Sequence, residues 1–210
     1  MNFASDPALM GPLVLLMAGW CSGISLYLTA ALLGISGRMG WIQLPGELGT
    51  LSNFFIIVIA VLLFLVEFVA DKVPYVDSAW DSIHTFIRPA GAVAMGYLGG
   101  SEHGAVAQTL FALLTGTIAL NVHAVKASSR LVINTSPEPF SNIAASTTEN
   151  AGVFFIFWFF IKHPVITCIV LVALLVLSFF FLRMVWRFVV KLFKRETPKP
   201  VAQVGSNKVP

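Results

Sequence analysis

Glu67, Asp71, Lys72, Asp77, Asp81, His84 and Arg88 form the chemically richest stretch of the chain. Six of its twenty-three Lys, Arg, Asp and Glu residues fall within these twenty-two positions, with His84 added. Glu67 and Asp71 are four apart, so a helix places them on one face, where two carboxylates repel and make a candidate proton or cation site. Asp77, Asp81, His84 and Arg88 recur at i, i+4, i+7 and i+11, again on one helix face, with Val76, Ala79, Ile83 and Phe86 largely elsewhere. Histidine titrates near neutrality, which makes His84 a candidate proton relay. The same spacing also fits an interfacial helix with its polar face in water and Asp81 paired to Arg88 or Lys72.

A second constellation is His123, Lys126 and Arg130 at i, i+3 and i+7, followed by a polar loop through Asn134, Thr135, Ser136, Glu138 and Asn142. Cations beside neutral donors suit an anion or a phosphate headgroup. Cations at a helix C-terminus also simply complement its dipole. Pro137 and Pro139 stiffen the loop around Glu138, and a stiff polar loop between spans is a candidate re-entrant segment, which needs cover by protein or water. Catalytic signatures are absent: the sequence has no HExxH, GxSxG, P-loop or CxxC pattern, so no enzyme and no cofactor is expected. Cys21 and Cys168 lie in apolar segments and suggest neither a disulfide framework nor a metal knot.

These residues sit in a chain that cannot be a soluble domain. Apolar residues make up 57% of its 210 positions and charged residues 11%, with a mean hydropathy of +0.86; ordinary globular chains carry about 25% charge. The net charge of +3 hides an asymmetry. Before residue 183 there are six Lys/Arg against nine Asp/Glu; from Arg183 onward, seven against Glu196 alone. The basic character therefore belongs to a tail and not to a nucleic-acid-binding face. Following an apolar helix, it predicts a cytoplasmic C-terminus and contact with membrane lipids. Residues 1–10 contain no Lys or Arg, so the first apolar helix reads as a retained anchor and not as a signal peptide.

Six apolar segments have to position the polar residues. The first runs from about Leu9 to Ile35, with small residues Gly19, Ser22, Gly23 and Ser25 that let helices approach in lipid. Leu51–Val69 is the second. The third holds the Asp77–Arg88 stripe and is expected to break at Pro89, which removes a donor and disfavours the helical conformation of Arg88. The fourth covers about 104–127, a polar loop begins at Ser128, the fifth covers 142–162, and Pro164 opens the sixth. The aromatic run Phe154–Phe160 reads as a lipid-facing or packing surface. Arg183, Arg187, Lys191 and Lys194 form a basic stripe where the last helix leaves the bilayer. The expected division is a tail over 1–8, membrane halves over 9–100 and 104–195, and a disordered cytoplasmic tail over 196–210.

The halves echo one another at an offset of about ninety residues. Ser22-Gly23 is matched by Thr115-Gly116, Ser36-Gly37-Arg38 by Ser128-Ser129-Arg130, and Pro45 by Pro137. Asn53 is matched by Asn150, and Lys72-Val73-Pro74 by Lys162-His163-Pro164. Three segments per half would set the halves in opposite orientations, an arrangement that recurs in transporters. Two long motifs carry a resemblance: the run from Glu67 to Thr85 and the run from Asn134 to Asn142. With Gly19 to Ile24 and the closing basic helix, they resemble the bacterial multi-pass membrane-protein family called domain of unknown function 4126, over about residues 9–195. The resemblance implies a small multi-pass protein and supplies no activity. The expectation is an all-α inner-membrane protein of two inverted three-segment repeats that transports or channels a small solute, ion or lipid headgroup. The alternative is a non-catalytic accessory subunit of a larger membrane complex; a homo-oligomer is also compatible.

Overall fold

The computed structural model describes residues 7–73, 75–134 and 139–194. Regular structure among them is helical: α1 (Pro7–Ile24), α2 (Leu26–Arg38), a 3-10 segment (Gly46–Ser52), α3 (Phe54–Ala70), α4 (Val76–Gly99), a 3-10 turn (Ser101–His103), α5 (Gly104–Ile133), α6 (Pro139–Lys162) and α7 (Pro164–Lys194). Residues 101–133, 140–162 and 164–191 are long and apolar enough to cross a membrane. Gly46–Ser52 and α3 add a fourth span if the pair, bent by 73°, is taken as one. Phe55, Leu62 and Val66 on α3, and Phe179 and Phe180 on α7, point outward. So much exposed apolar surface suits lipid and not water. The chain is a membrane protein.

Helix α5 is the spine, with α1 and α4 packed along it. Small residues make the approach possible, because helices in lipid gain contact by bringing backbones together. A Cβ on Gly23 would lie 2.7 Å from the Ala119 carbonyl oxygen, and one on Gly96 would lie 2.5 Å from that of Phe111. Thr115 on α5 donates its hydroxyl to the Ala92 carbonyl on α4 (2.7 Å). The apolar core gathers on α1, where Val14, Leu15, Met17 and Cys21 are buried with Phe157 and Phe160 of α6 and Leu171 of α7.

Three expectations about elements are corrected. The first apolar segment is two helices, because Ser25 takes an extended backbone (φ −147°, ψ 104°) between α1 and α2. Its side chain is drawn to the Glu67 carboxylate across the core. Helix α4 runs unbroken through Pro89. Proline there removes one backbone bond, while the flanking turns are held by Arg88 on one side and by the contact of Ala92 with Thr115 on the other. The polar loop does not begin at Ser128: α5 continues to Ile133, with Arg130 tied to α6. Helix α6 correspondingly starts at Pro139, a residue suited to a first helical turn.

Candidate functional site

The polar face of α4 is buried. Asp77 and Arg88 have no exposed surface, and His84 and Asp81 are 2% and 4% exposed. This rules out the interfacial helix with its polar face in water. It also converts the Arg88–Asp81 pair of that reading into a buried one. Burying such groups in lipid is costly unless they are paired, so the partners define the site.

Arg88 is the inner anchor. Its Nη2 donates to Glu67 Oε1 (2.8 Å) and its Nη1 to Asp81 Oδ1 (3.1 Å). The same Nη1 donates to His123 Nδ1 (2.7 Å). A guanidinium has no lone pair to offer, so Nδ1 of His123 must accept, and the ring carries its hydrogen on Nε2. That nitrogen faces the Asp81 carbonyl oxygen at 3.2 Å and Thr85 Oγ1 at 3.0 Å. His123 thus serves as a neutral bridge between α4 and α5 and not as a third cation on its helix. Glu67 takes a further bond from the Ser25 hydroxyl, at the N-terminal end of α2. A carboxylate is favoured there by the positive end of the helix dipole.

Lys126 holds the middle. Its Nζ lies 2.8 Å from Asp71 Oδ2, 3.8 Å from Asp81 Oδ1 and 3.6 Å from Glu149 Oε2. It also donates to the carbonyl of Ile24 (3.3 Å), the last residue of α1, where the dipole is negative. The break at Ser25 therefore presents one helix end to a cation and the other to a carboxylate, a device seen where membrane helices are interrupted at ion sites. Glu67 and Asp71 do not form the carboxylate pair expected from their spacing, because each has its own cation: Arg88 and Lys126.

Arg130 forms the outer layer. It makes a two-pronged contact with Glu149 (Nε–Oε1 3.2 Å, Nη2–Oε2 2.7 Å) and donates to both the carbonyl and the Oδ1 of Asn142 (3.2 and 2.6 Å). Asp77 Oδ1 is 3.9 Å away. Asn134 closes the end of the column by donating to Asp77 Oδ2 (3.0 Å) and Ser78 Oγ (2.8 Å). Along α4, from Asp77 to Arg88, the column covers about 16 Å at about 1.5 Å per residue.

Two expected members stand aside. His84 stacks on Trp80 with ring centroids 4.5 Å apart, and its Nδ1 donates to the Trp80 carbonyl (2.8 Å). Its Nε2 faces the Tyr27 hydroxyl at 3.3 Å. Lys72 lies at the rim, over the Phe68 ring, and donates to the Phe68 carbonyl and Ser146 Oγ. Partial burial pulls its pKa below the usual lysine value, and the adjacent Asp71 works the other way. Ser136 and Glu138, with the re-entrant loop expected around them, lie outside the described residues. The remaining groups pack closely on one another, and the cavity beside Asp81 has a volume of about 120 Å³. Glu149, Ser25 and Thr85 are members the sequence reading missed. For Glu149 the signal was present: Asn142, Ser146, Glu149 and Asn150 share one helix face, the rule that found the stripe on α4.

The family model described as a domain of unknown function (DUF4126) matches residues 13–184. The chain belongs to this family. The match takes in every member of the column, from Ser25 to Glu149. No curated protein and no solved structure matches the chain. The family's description carries no activity, so a functional reading has to come from the column itself.

Proposed function

We propose that this DUF4126 protein moves a small cation across the membrane, using the buried charged column as its path and binding site. One observation carries the reading. Five carboxylates, Glu67, Asp71, Asp77, Asp81 and Glu149, face Arg88, Lys126 and Arg130 inside a membrane protein, and still outnumber the cations with Lys72 at the rim beside Asp71. A structural ion-pair cluster would be balanced, since unpaired buried charge is costly. An excess of carboxylate attracts protons or metal ions and marks an ion pathway. The path ends inward at the Ser25 break; beyond it, towards Ser101, the small-residue contacts of α1, α4 and α5 act as a closed gate.

The finer architecture belongs to the same proposal: a bacterial inner membrane with the C-terminus in the cytoplasm. The expected inverted halves are not kept: α1 runs parallel to α5, with Gly19 against Thr115, Gly23 against Ala119 and Ile24 against Lys126, where inverted halves would set the two helices antiparallel. The start of α1 at Met10 and Gly11 also lies beside Pro45 and His103, on the side of the 37–50 loop. The charged column then opens towards the cytoplasm. The basic face of Arg183, Arg187 and Lys191 would lie against anionic lipid on that side. Tight packing of the column favours the second reading, an accessory subunit of a membrane complex in which the cluster only holds helices together. Purified protein in liposomes, loaded with pH- and metal-sensitive dyes, separates the two. Transport predicts cation flux above that of protein-free vesicles; folded protein that passes neither protons nor metal ions would favour the subunit.

A further inference from the structure

Within the column, one carboxylate oxygen from each of Asp71, Asp77 and Asp81 lies within 4.8 Å of the other two. All three residues are at least 95% buried. The cluster alone would mean little, but each aspartate also has an oxygen that accepts no hydrogen bond: Asp71 Oδ1, Asp77 Oδ1 and Asp81 Oδ2. Buried carboxylate oxygens ordinarily take hydrogen bonds, and three neighbouring aspartates that each keep one oxygen without such a bond, Asp77 Oδ1 having only the Arg130 guanidinium at 3.9 Å, can share a positive partner. Lys126 does not meet it, because its ammonium is spent on Asp71 Oδ2, the Ile24 carbonyl and the further oxygens of Asp81 and Glu149. Arg130 is closer to Glu149 and Asn142 than to Asp77.

We propose that Asp71, Asp77 and Asp81 together bind one divalent metal ion of the calcium size class. This rests on the reading of the column as a cation path and names the ion's seat within it. Charge supports a cation here, because carboxylates outnumber the cations of the column even when Lys72, beside Asp71, is counted among them. Size supports it as well. An ion among three atoms so spaced sits at most about 2.8 Å from each, a bound that admits the 2.3–2.6 Å of calcium–oxygen contacts. An entry exists between α4 and α5, where a cavity of about 120 Å³ is lined by Asp81, by Arg130, whose charge is taken up by Glu149, and by the hydroxyl-bearing Ser78, Ser82 and Thr85. Ser82 is exposed at its mouth, and hydroxyls there replace part of the ion's water shell as it enters.

The test uses the full chain in lipid nanodiscs, stripped of metal by a chelator and titrated with radiolabelled Ca²⁺ at neutral pH. The expected result is one saturable Ca²⁺ per chain, with Mg²⁺ at least ten-fold weaker as a competitor. Asp77→Asn should weaken Ca²⁺ at least ten-fold. Ser82→Phe, at the cavity mouth and away from the three carboxylates, should slow Ca²⁺ exchange several-fold with little change in affinity. Folded wild-type protein that binds no Ca²⁺ up to about 5 mM, beyond the weak extracellular range, overturns the proposal without any variant. Uptake of two protons in place of the metal overturns it too, as does unchanged binding in Asp77→Asn. Because binding is read without transport, the two readings fail separately. Proton flux without Ca²⁺ binding removes only this site, and Ca²⁺ binding without flux removes only the transport function.

Discussion

At the scale of single residues, Arg88 is the most constrained group, with Glu67, Asp81 and His123 all on its guanidinium. Arg88→Met leaves two buried carboxylates without their cation, and removing one partner of a buried pair typically destabilises by about 3–5 kcal/mol. The expected outcome is loss of most of the protein from membrane fractions. Arg88→Lys should recover little, because an ammonium cannot span two carboxylates and an imidazole in a fixed plane. Adding Glu67→Met to Arg88→Met should regain about half of the lost thermal stability, since it removes one orphaned charge together with its partner; a double variant no more stable than the single would contradict the pairing. The stripe from Asp77 to Arg88 was legible because four polar residues at helical spacing in an apolar chain have few explanations. Their partners were less legible. Ser25 reads as a small packing residue until Glu67 is seen opposite it, and Glu149 sits in a polar run where no single residue stands out.

At the scale of elements, apolar runs and punctuation located six segments, of which the first is two helices and the fourth runs on to Ile133, and two of the breaks were assigned wrongly. Sequence favours a break at a proline and continuity through a serine; α4 passes through Pro89, while α1 and α2 separate at Ser25. Tertiary contacts decide both, and those are invisible in local pattern. The α1–α5 contact makes its own prediction. Gly23→Ala puts a methyl 2.7 Å from the Ala119 carbonyl, and overpacking of this kind costs about 1–3 kcal/mol. Gly152→Ala, in α6 with open space around it, should instead be neutral or stabilise by up to about 1 kcal/mol through helix propensity. Thermal unfolding in one detergent gives both signs; equal effects at the two glycines would contradict the close approach of α1 to α5.

At the scale of the whole molecule, composition alone separated this chain from soluble domains, and the exposed apolar faces of α3 and α7 agree. With the C-terminus proposed to be cytoplasmic, residues 37–50, at the opposite end of the bundle, would lie outside. Met39→Cys, at an exposed position after α2, should react with an impermeant thiol reagent in intact cells, and Ser206→Cys only after permeabilisation. The reverse pattern would invert the molecule, and labelling of both in intact cells would remove one segment. The excess of carboxylate over cation could not be counted from sequence, because spacing shows which residues share a face and not which cation each one meets. That excess is the centre of the functional account. Its most direct test is cation flux into liposomes holding equal amounts of folded wild-type and Asp81→Asn protein, the variant being nearly isosteric at a carboxylate shared by Arg88 and Lys126. The account predicts flux in the wild type and at least a ten-fold loss in Asp81→Asn; equal flux in the two would contradict it.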